Sequence, residues 1–301
     1  MTEQGRALVG ISGWRYPHWR GVFYPEGLRQ KDELAYASRS IDSIEVNGSF
    51  YGLLHSSAVT RWYAESPEGF TFAVKGSRFI THMKRLSDPK PSLANFFAAG
   101  VLAFEDKLGP VLWQLPPSFH FDRERVESFL HALPRTTKDA AKLARAHDHR
   151  VEDPRVTVHV DRPIRYALEV RHPSFEHDDC FELLRSHDVS LCIADTANVH
   201  PDFDVITASF VYVRLHGAEK LYESGYTKRQ LQKWAARVSS WCKEGRDVYV
   251  YFDNDARVRA PFDARCLRAL LDGDRPKRAP KGIGKAGEPA RTRWPAWPSR
   301  A

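Results

Sequence analysis

Five side chains able to do chemistry stand at or near the ends of short apolar runs: Glu45, Glu169, Asp195, Asp253 and His216. Carboxylates with an imidazole suit a hard or borderline divalent cation, so Mg²⁺, Mn²⁺ or Zn²⁺ held by Glu45, Glu169, Asp195, His216 and Asp253 is one reading. Such an ion would polarise a carbonyl or phosphoryl oxygen, or activate a water. No HxH or HxxxE spacing gathers these donors, and they come from separate runs. In a second reading the same acids pair with Lys75, Arg171 and Arg214 in a buried salt-bridge network, because charges taken out of water need partners. In a third, Glu45, Glu169, Asp195 and His216 are catalytic acid–base groups. Glu169 and His216 are then the first pair to consider, because a carboxyl shielded from water titrates higher and imidazole titrates near neutrality.

Lys75, Arg78, Arg171 and Arg214, with His82 and His172 nearby, form a basic set. Arginine makes planar two-point hydrogen bonds to carboxylate or phosphate, so this set points to an anionic or phosphorylated, sugar-like small molecule. Trp14, Asn47, Phe50, Tyr51, Gln114 and Asn254 complete the candidate substrate-binding residues. Gly217, directly after His216, would leave backbone N–H groups open to an anion. Trp14, Tyr16, Trp19, Phe23, Tyr24, Phe50 and Tyr51 crowd two neighbouring loops, where they either stack on a sugar or base or pack the loops together. No GxSxG, P-loop or GxGxxG motif occurs, and no cysteine ends a β-like run, so nucleophilic-serine and nucleotide-cofactor chemistry have no support.

These residues need a scaffold that brings the ends of distant runs together. Eight β-like runs recur at Leu8–Trp14, Ser43–Asn47, Phe70–Lys75, Pro110–Leu115, Tyr166–Arg171, Ser190–Asp195, Phe210–His216 and Val248–Asp253. Helical patterns lie between most of them, at 31–40, 57–65, 93–104, 122–133, 178–187, 227–244 and 263–271, and 137–149 adds a further helix to the fourth crossover. Asp122 and Thr227 suit helix N-caps. Alternating βα units predict an α/β fold, a single (β/α)8 TIM-type barrel whose active site lies at the C-terminal strand ends. Successive strand side chains point to opposite faces. Val211, Val213 and Leu215 should therefore pack under helices while Tyr212, Arg214 and His216 point inward. By the same rule Glu45, Lys75, Glu169, Arg171 and Asp253 point inward, with Ser12, Gln114 and Asp195 assigned to the same set.

The chain of 301 residues carries a formal net charge of +7 and is 42% hydrophobic. Residues 273–301 hold eight Lys and Arg against Asp274 and Glu288, so nearly all the excess belongs to this tail and the body is close to neutral. We therefore expect a barrel over residues 1–272 and a flexible, basic, Pro/Gly-rich tail over 273–301, with Trp294–Pro298 able to anchor it. The tail could add nonspecific affinity for nucleic acid, which says little about the barrel's substrate. The four cysteines are scattered without metal-binding spacing, no apolar run reaches membrane-span length, and the short polar N-terminus lacks a secretory signal. A cytoplasmic protein with no membrane contact is expected. No spacing specifies an oligomeric state.

The motifs, taken in order, resemble one family. Gly10-Ile-Ser-Gly-Trp14, Phe23-Tyr-Pro25, Ile44-Glu-Val-Asn47 with Ser49-Phe-Tyr51, and Val74-Lys75 through Ile80-Thr-His82 follow one another as in the DUF72 (YecE-like) family. Gln114-Leu-Pro-Pro117, Leu168-Glu-Val-Arg-His-Pro-Ser174, Ala194-Asp195, Arg214-Leu-His-Gly217 and Tyr251-Phe252 with Asn254 continue the match, which runs from about residue 8 to 271. The resemblance implies a TIM-barrel fold without a defined reaction. The family has been likened to sugar-isomerase-type barrels and to barrel endonucleases acting on damaged DNA. One departure lies in Asp253–Pro261, where relatives resemble one another in having Asn at 253 and Gly near Val258.

Overall fold

Apolar side chains at every second position put one face of each strand against helices and the other inside a barrel. In the computed structural model, which describes residues 4–273, nine parallel strands form one sheet. They are β1 (Ala7–Ser12), β2 (Ser43–Val46), β3 (Thr71–Lys75), β4 (Leu108–Gln114), β5 (Tyr166–Glu169), β6 (Val189–Leu191), β7 (Ile193–Asp195), β8 (Phe210–Leu215) and β9 (Asp247–Phe252). The order β6-β5-β4-β3-β2-β1-β9-β8-β7 has as its two ends segments that are consecutive in the chain. The sixth expected strand is thus two strands meeting at Cys192, β6 pairing with β5 and β7 with β8.

The sheet closes almost completely. Between β6 and β8 the ladder is replaced by side chains. The Thr207 hydroxyl accepts from the Leu191 N–H at 2.7 Å and donates to the Val189 carbonyl at 2.7 Å. Ser190 Oγ accepts the Tyr212 N–H at 3.2 Å. Buried backbone groups that lack a strand partner are satisfied this way.

The helices are α1 (Glu33–Ala37), α2 (Gly48–Tyr51), α3 (Ser56–Glu65), α4 (Pro89–Ala98), α5 (Arg123–Ala132), α6 (Thr137–Ala144), α7 (Asp178–Ser186), α8 (Lys228–Lys243) and α9 (Ala260–Leu271). Asp122 caps α5 by accepting the Arg125 N–H, and Thr227 with Gln230 forms a capping box on α8. The expected helix over 93–104 is divided instead. α4 begins earlier, at Pro89, and stops before Gly100, whose φ of 103° lies in the left-handed region; a 3₁₀ segment, Val101–Lys107, follows. α9 likewise begins before 263, with Pro261 in its first turn. A π-helical turn, Phe79–Met83, and the short α2 have no counterpart in the periodicity. Among the described residues no helix spans the crossover from β7 to β8.

Two apolar layers result. The outer one packs Val9, Ile44, Val74, Trp113, Leu168, Val213 and Val250 against the helices; the inner one contains Leu8, Ala73, Leu112, Ala167, Tyr212 and Tyr251. Arg165 lies toward the N-terminal strand ends, bonded to Asp247 at 2.7 Å and to the Tyr249 hydroxyl at 2.8 Å. Most of the buried inward charge, Glu45, Lys75, Glu169 and Arg214, stands nearer the C-terminal ends. The basic tail, its Trp294–Pro298 stretch and any nucleic-acid contact it makes lie outside the described residues, apart from Gly273.

Candidate functional site

Arg214, fully buried on β8, organises the C-terminal interior. Its Nη1 donates to Glu169 Oε2 at 2.7 Å, and its Nη2 donates to Glu45 Oε1 at 2.8 Å and Asp253 Oδ2 at 2.9 Å. Register makes this inevitable: Ser12 pairs with Glu45 across β1–β2, Gln114 with Glu169 across β4–β5, and Arg214 with Tyr251 across β8–β9. These residues form one inward layer. Glu45 also accepts from the Ser12 hydroxyl at 2.8 Å and the Tyr212 hydroxyl at 2.7 Å. Glu169 Oε1 accepts from Arg171 Nε at 2.8 Å, with Arg171 Nη2 at 2.7 Å. His216 Nε2 lies 3.4 Å from Arg214 Nη1, which can only donate, so Nε2 can only accept in this contact and a ring hydrogen falls to Nδ1. That nitrogen is 3.1 Å from Asp253 Oδ2 but poorly aligned with it.

The electrostatics reverse one expectation. Burial by itself would raise the Glu169 carboxyl, yet Arg171 and Arg214, followed by His216 and Lys75, hold it well below the usual range. Glu169 is therefore an anionic anchor and not the raised general acid that shielding suggests. Burial likewise favours protonated Asp253, and Arg214 with His216 overcomes it, leaving this carboxyl at about 2.

The same geometry answers the metal reading. Among the described residues no group of three or more His, Cys, Asp or Glu side chains is arranged to hold an ion. The oxygens of Glu45, Glu169 and Asp253 that converge do so on the Arg214 guanidinium, which occupies the space a cation would need. For Glu45, Glu169 and Asp253 the salt-bridge alternative holds through Arg214 and Arg171, while Lys75 and Asp195 take no part in it.

Asp195 is outside the group. The break at Cys192 leaves Ala194 facing Tyr212 and Tyr251 inside the barrel, while Ile193 packs outward. Asp195 follows Ile193 in parity, accepts the Ala197 N–H, and interacts with the Tyr226 hydroxyl. It does not join Glu45, Glu169 and His216. Asn254 also lies apart, donating to Asp263 at 2.8 Å and to the Ser224 carbonyl at 2.9 Å. The Gly217 N–H is taken by the Tyr226 hydroxyl at 3.1 Å, so it is closed to an anion.

Lys75 and Arg171 stand above the Arg214 layer. Lys75, the last residue of β3, is 8% exposed and holds its Nζ 4.4 Å from the Phe50 ring centroid. The His82 ring meets the same phenyl edge-to-face at 5.1 Å. Burial, then Lys75, Arg171 and Arg78, push the His82 imidazole down to about 4. Gln114 is buried beside Glu169, Asn47 is half-buried, and Arg78 is exposed. His172 stacks on His120 at 3.8 Å and caps the Pro173–Phe175 turn. Tyr51 is exposed. Trp14 packs edge-to-face on Trp62 at 5.0 Å, and Tyr24 donates its hydroxyl to the Trp14 carbonyl, so the first loop's aromatics are mainly packing.

The model of the family described as "Protein of unknown function DUF72" matches residues 8–284. The chain belongs to the DUF72 family. It is similar to UPF0759 protein YunF of Bacillus subtilis strain 168, at 24% identity over 304 residues covering 91% of this chain and 98% of the relative. It is also similar to UPF0759 protein YecE of Escherichia coli K12, at 22% identity over 84% of this chain and 88% of the relative. A crystal structure of a DUF72 family protein from Thermotoga maritima superimposes with a TM-score of 0.72 and 24% identity, covering 89% of this chain and 99% of that one, a likeness of fold. The DUF72 match extends past the motifs, which end near 271.

The departure at Asp253–Pro261 also has a structural side in this DUF72 chain. Val258 has a φ of 57°, a left-handed conformation that a β-branched residue adopts only under strain. Three residues near the site carry signals of unequal strength. Tyr212, which holds Glu45, shares the parity of Arg214 and His216 and was legible in that pattern. His200 and Tyr222 come from loops without periodicity. Tyr222 lies edge-on to His216 at 5.4 Å, and burial with Arg171 lowers the His200 imidazole.

Proposed function

We propose that this DUF72 chain is an enzyme that binds a small anionic, phosphorylated or sugar-like molecule at the C-terminal mouth of its barrel and does acid–base chemistry there. The observation that carries this reading is the grouping of Lys75, Arg171 and His82 over the Arg214 layer, where burial first, then Lys75, Arg171 and Arg78, disfavours a proton on the His82 ring. Glu45, Glu169 and Asp253 are committed to arginines, so they orient the cations. Arg171, whose side chain is 12% exposed, and Lys75 face the ligand. His82, its imidazole pushed down to about 4 and so a neutral base at pH 7, and His216 beside Asp253 are the groups placed to move a proton.

A thermal-shift series with glycerol 3-phosphate, ribose 5-phosphate and the matching uncharged polyols tests the reading. A ligand at a hundred times its Kd adds about 2.7 kcal/mol to stability. We expect phosphorylated compounds to raise Tm, and Arg171→Gln to abolish the increment even after its own lower baseline is subtracted. No shift with any anion, or an undiminished shift in Arg171→Gln, overturns it.

A further inference from the structure

We infer that Lys75 is an imine-forming lysine, and that the molecule bound at the mouth carries a carbonyl carbon which Lys75 Nζ attacks. The inference rests on the small-anion reading above and adds to it a substrate class and a covalent step.

Its basis is the contrast between two buried lysines. Lys107, 5% exposed, has its ammonium fully engaged: Nζ donates to the Tyr63 carbonyl at 2.7 Å, the Ser66 carbonyl at 2.9 Å and Ser66 Oγ at 2.9 Å. Those acceptors hold the amine in place as a structural lysine requires, although burial lowers this group as well; the contrast with Lys75 is one of hydrogen bonding. Lys75 is almost as buried, yet among the described residues no Asp or Glu oxygen lies within 4.0 Å of its Nζ, and no acceptor holds it. Three carboxylates stand nearby, but Arg214 and Arg171 have taken them. What Nζ touches is the Phe50 ring. Its backbone is fixed: Lys75 pairs with Leu112 of β4, and its carbonyl accepts the Ser49 hydroxyl at 2.6 Å.

The groups facing Nζ come from every side of the barrel. Burial and Arg214 of β8 disfavour the ammonium, against Glu45 of β2, Asp253 beyond β9 and Glu169 of β5; burial and Arg214 prevail, so the amine loses its proton more readily than an ordinary lysine. A desolvated lysine beside a cation is the nucleophile of imine chemistry. His82, on the same phenyl ring and neutral above about 4, is the proton carrier.

The step balances without a co-reactant. The Nζ lone pair forms a C–N bond while the carbonyl π pair moves to oxygen, which gains a proton as nitrogen loses one through His82. The hydroxyl then takes a second proton through His82, the C–O bond breaks and water leaves as the nitrogen lone pair closes the C=N bond, and the protonated imine gives its N–H proton back to replace the one spent. Nothing is oxidised or reduced.

Sodium borohydride trapping tests this on the full chain. Protein is incubated with dihydroxyacetone phosphate, with dihydroxyacetone, or with formaldehyde and cyanoborohydride at pH 7, reduced and mapped by peptide mass spectrometry. We expect reduction-dependent adducts concentrated at Lys75, which should label faster at pH 7 than the exposed lysines because more of its amine is unprotonated. Lys75→Arg, its fold checked by circular dichroism, should lose that adduct while its exposed lysines label as before. Adducts spread over exposed lysines, with Lys75 unmodified in folded wild-type protein, overturn the inference. If glycerol 3-phosphate still raises Tm in that case, only the imine has failed. Adducts at Lys75 from dihydroxyacetone and formaldehyde without any phosphate-induced shift would leave the lysine chemistry standing and remove the anion reading.

Discussion

Arg214 satisfies three carboxylates with two of its nitrogens while wholly removed from water. Breaking a buried ion pair leaves an uncompensated charge, which is worse than never having had the pair. Arg214→Met, similar in length and neutral, leaves Glu45 and Asp253 without a cation and Glu169 with Arg171 alone; we expect it to lose about 3–5 kcal/mol in urea unfolding at pH 7. Asp263 behaves in the opposite way. Burial raises its carboxyl to about 7, against hydrogen bonds from Asn254 and the Tyr226 N–H. A folded pKa above the unfolded one means the unfolded chain releases this proton first. Stability from Asp263 is therefore full below about pH 4 and is lost as pH rises to about 7, at roughly 1.4 kcal/mol per unit. Comparing Asp263→Asn with wild type at pH 4.5 and 7.5 isolates the effect: the variant should gain relative stability at the higher pH. An unchanged difference would contradict it.

Single atoms also decide the outcome at the level of elements. The gap between β6 and β8 is bridged by Thr207, which serves one orphan N–H and one orphan carbonyl. Thr207→Val keeps the shape and removes the hydroxyl. It should cost about 1–3 kcal/mol and raise hydrogen exchange at the Leu191 amide. The helices followed their local signals where caps were present, at Asp122 and Thr227. They departed from the periodicity at Gly100, whose backbone ends α4, and at Phe79–Met83, where the chain makes a π turn that carries His82 toward Phe50. Alternation alone foretells neither feature, because both are set by what the segment packs against.

Across the whole molecule these titrations oppose one another. His82 and His200 have folded pKa values below the ordinary imidazole value, so the unfolded chain takes up their protons first and stability falls as pH drops from about 6.5. Asp263 works in the other direction over much of that window. Below about pH 4 only losses remain: Glu169 and Asp253, held low by arginines, contribute stability above the ordinary carboxylate pKa that disappears as pH falls through their folded values, about 2 for Asp253. Urea midpoints should thus change gently between pH 7 and 4.5 and fall steeply between 4 and 2. A steep fall already near pH 6 would show that histidine protonation dominates.

Strand parity is legible in the sequence, because period two is a property of the extended chain itself. It placed Glu45, Lys75, Glu169, Arg171, Arg214 and Asp253 on one face, and with eight βα units it specified a barrel and the end at which charge collects. Parity failed at Asp195, where the strand breaks at Cys192 and changes partner, an event that depends on β5 and β8 and leaves no local mark. Nor could parity tell which charges would neutralise one another. That depended on the stagger of strands around the barrel, which brings Ser12, Glu45, Glu169 and Arg214 together and leaves the Lys75 amine against a phenyl ring. Residue types and alternation are local and belong to the sequence. Pairing of charges is a matter of distance across a closed barrel, and only the tertiary structure sets it.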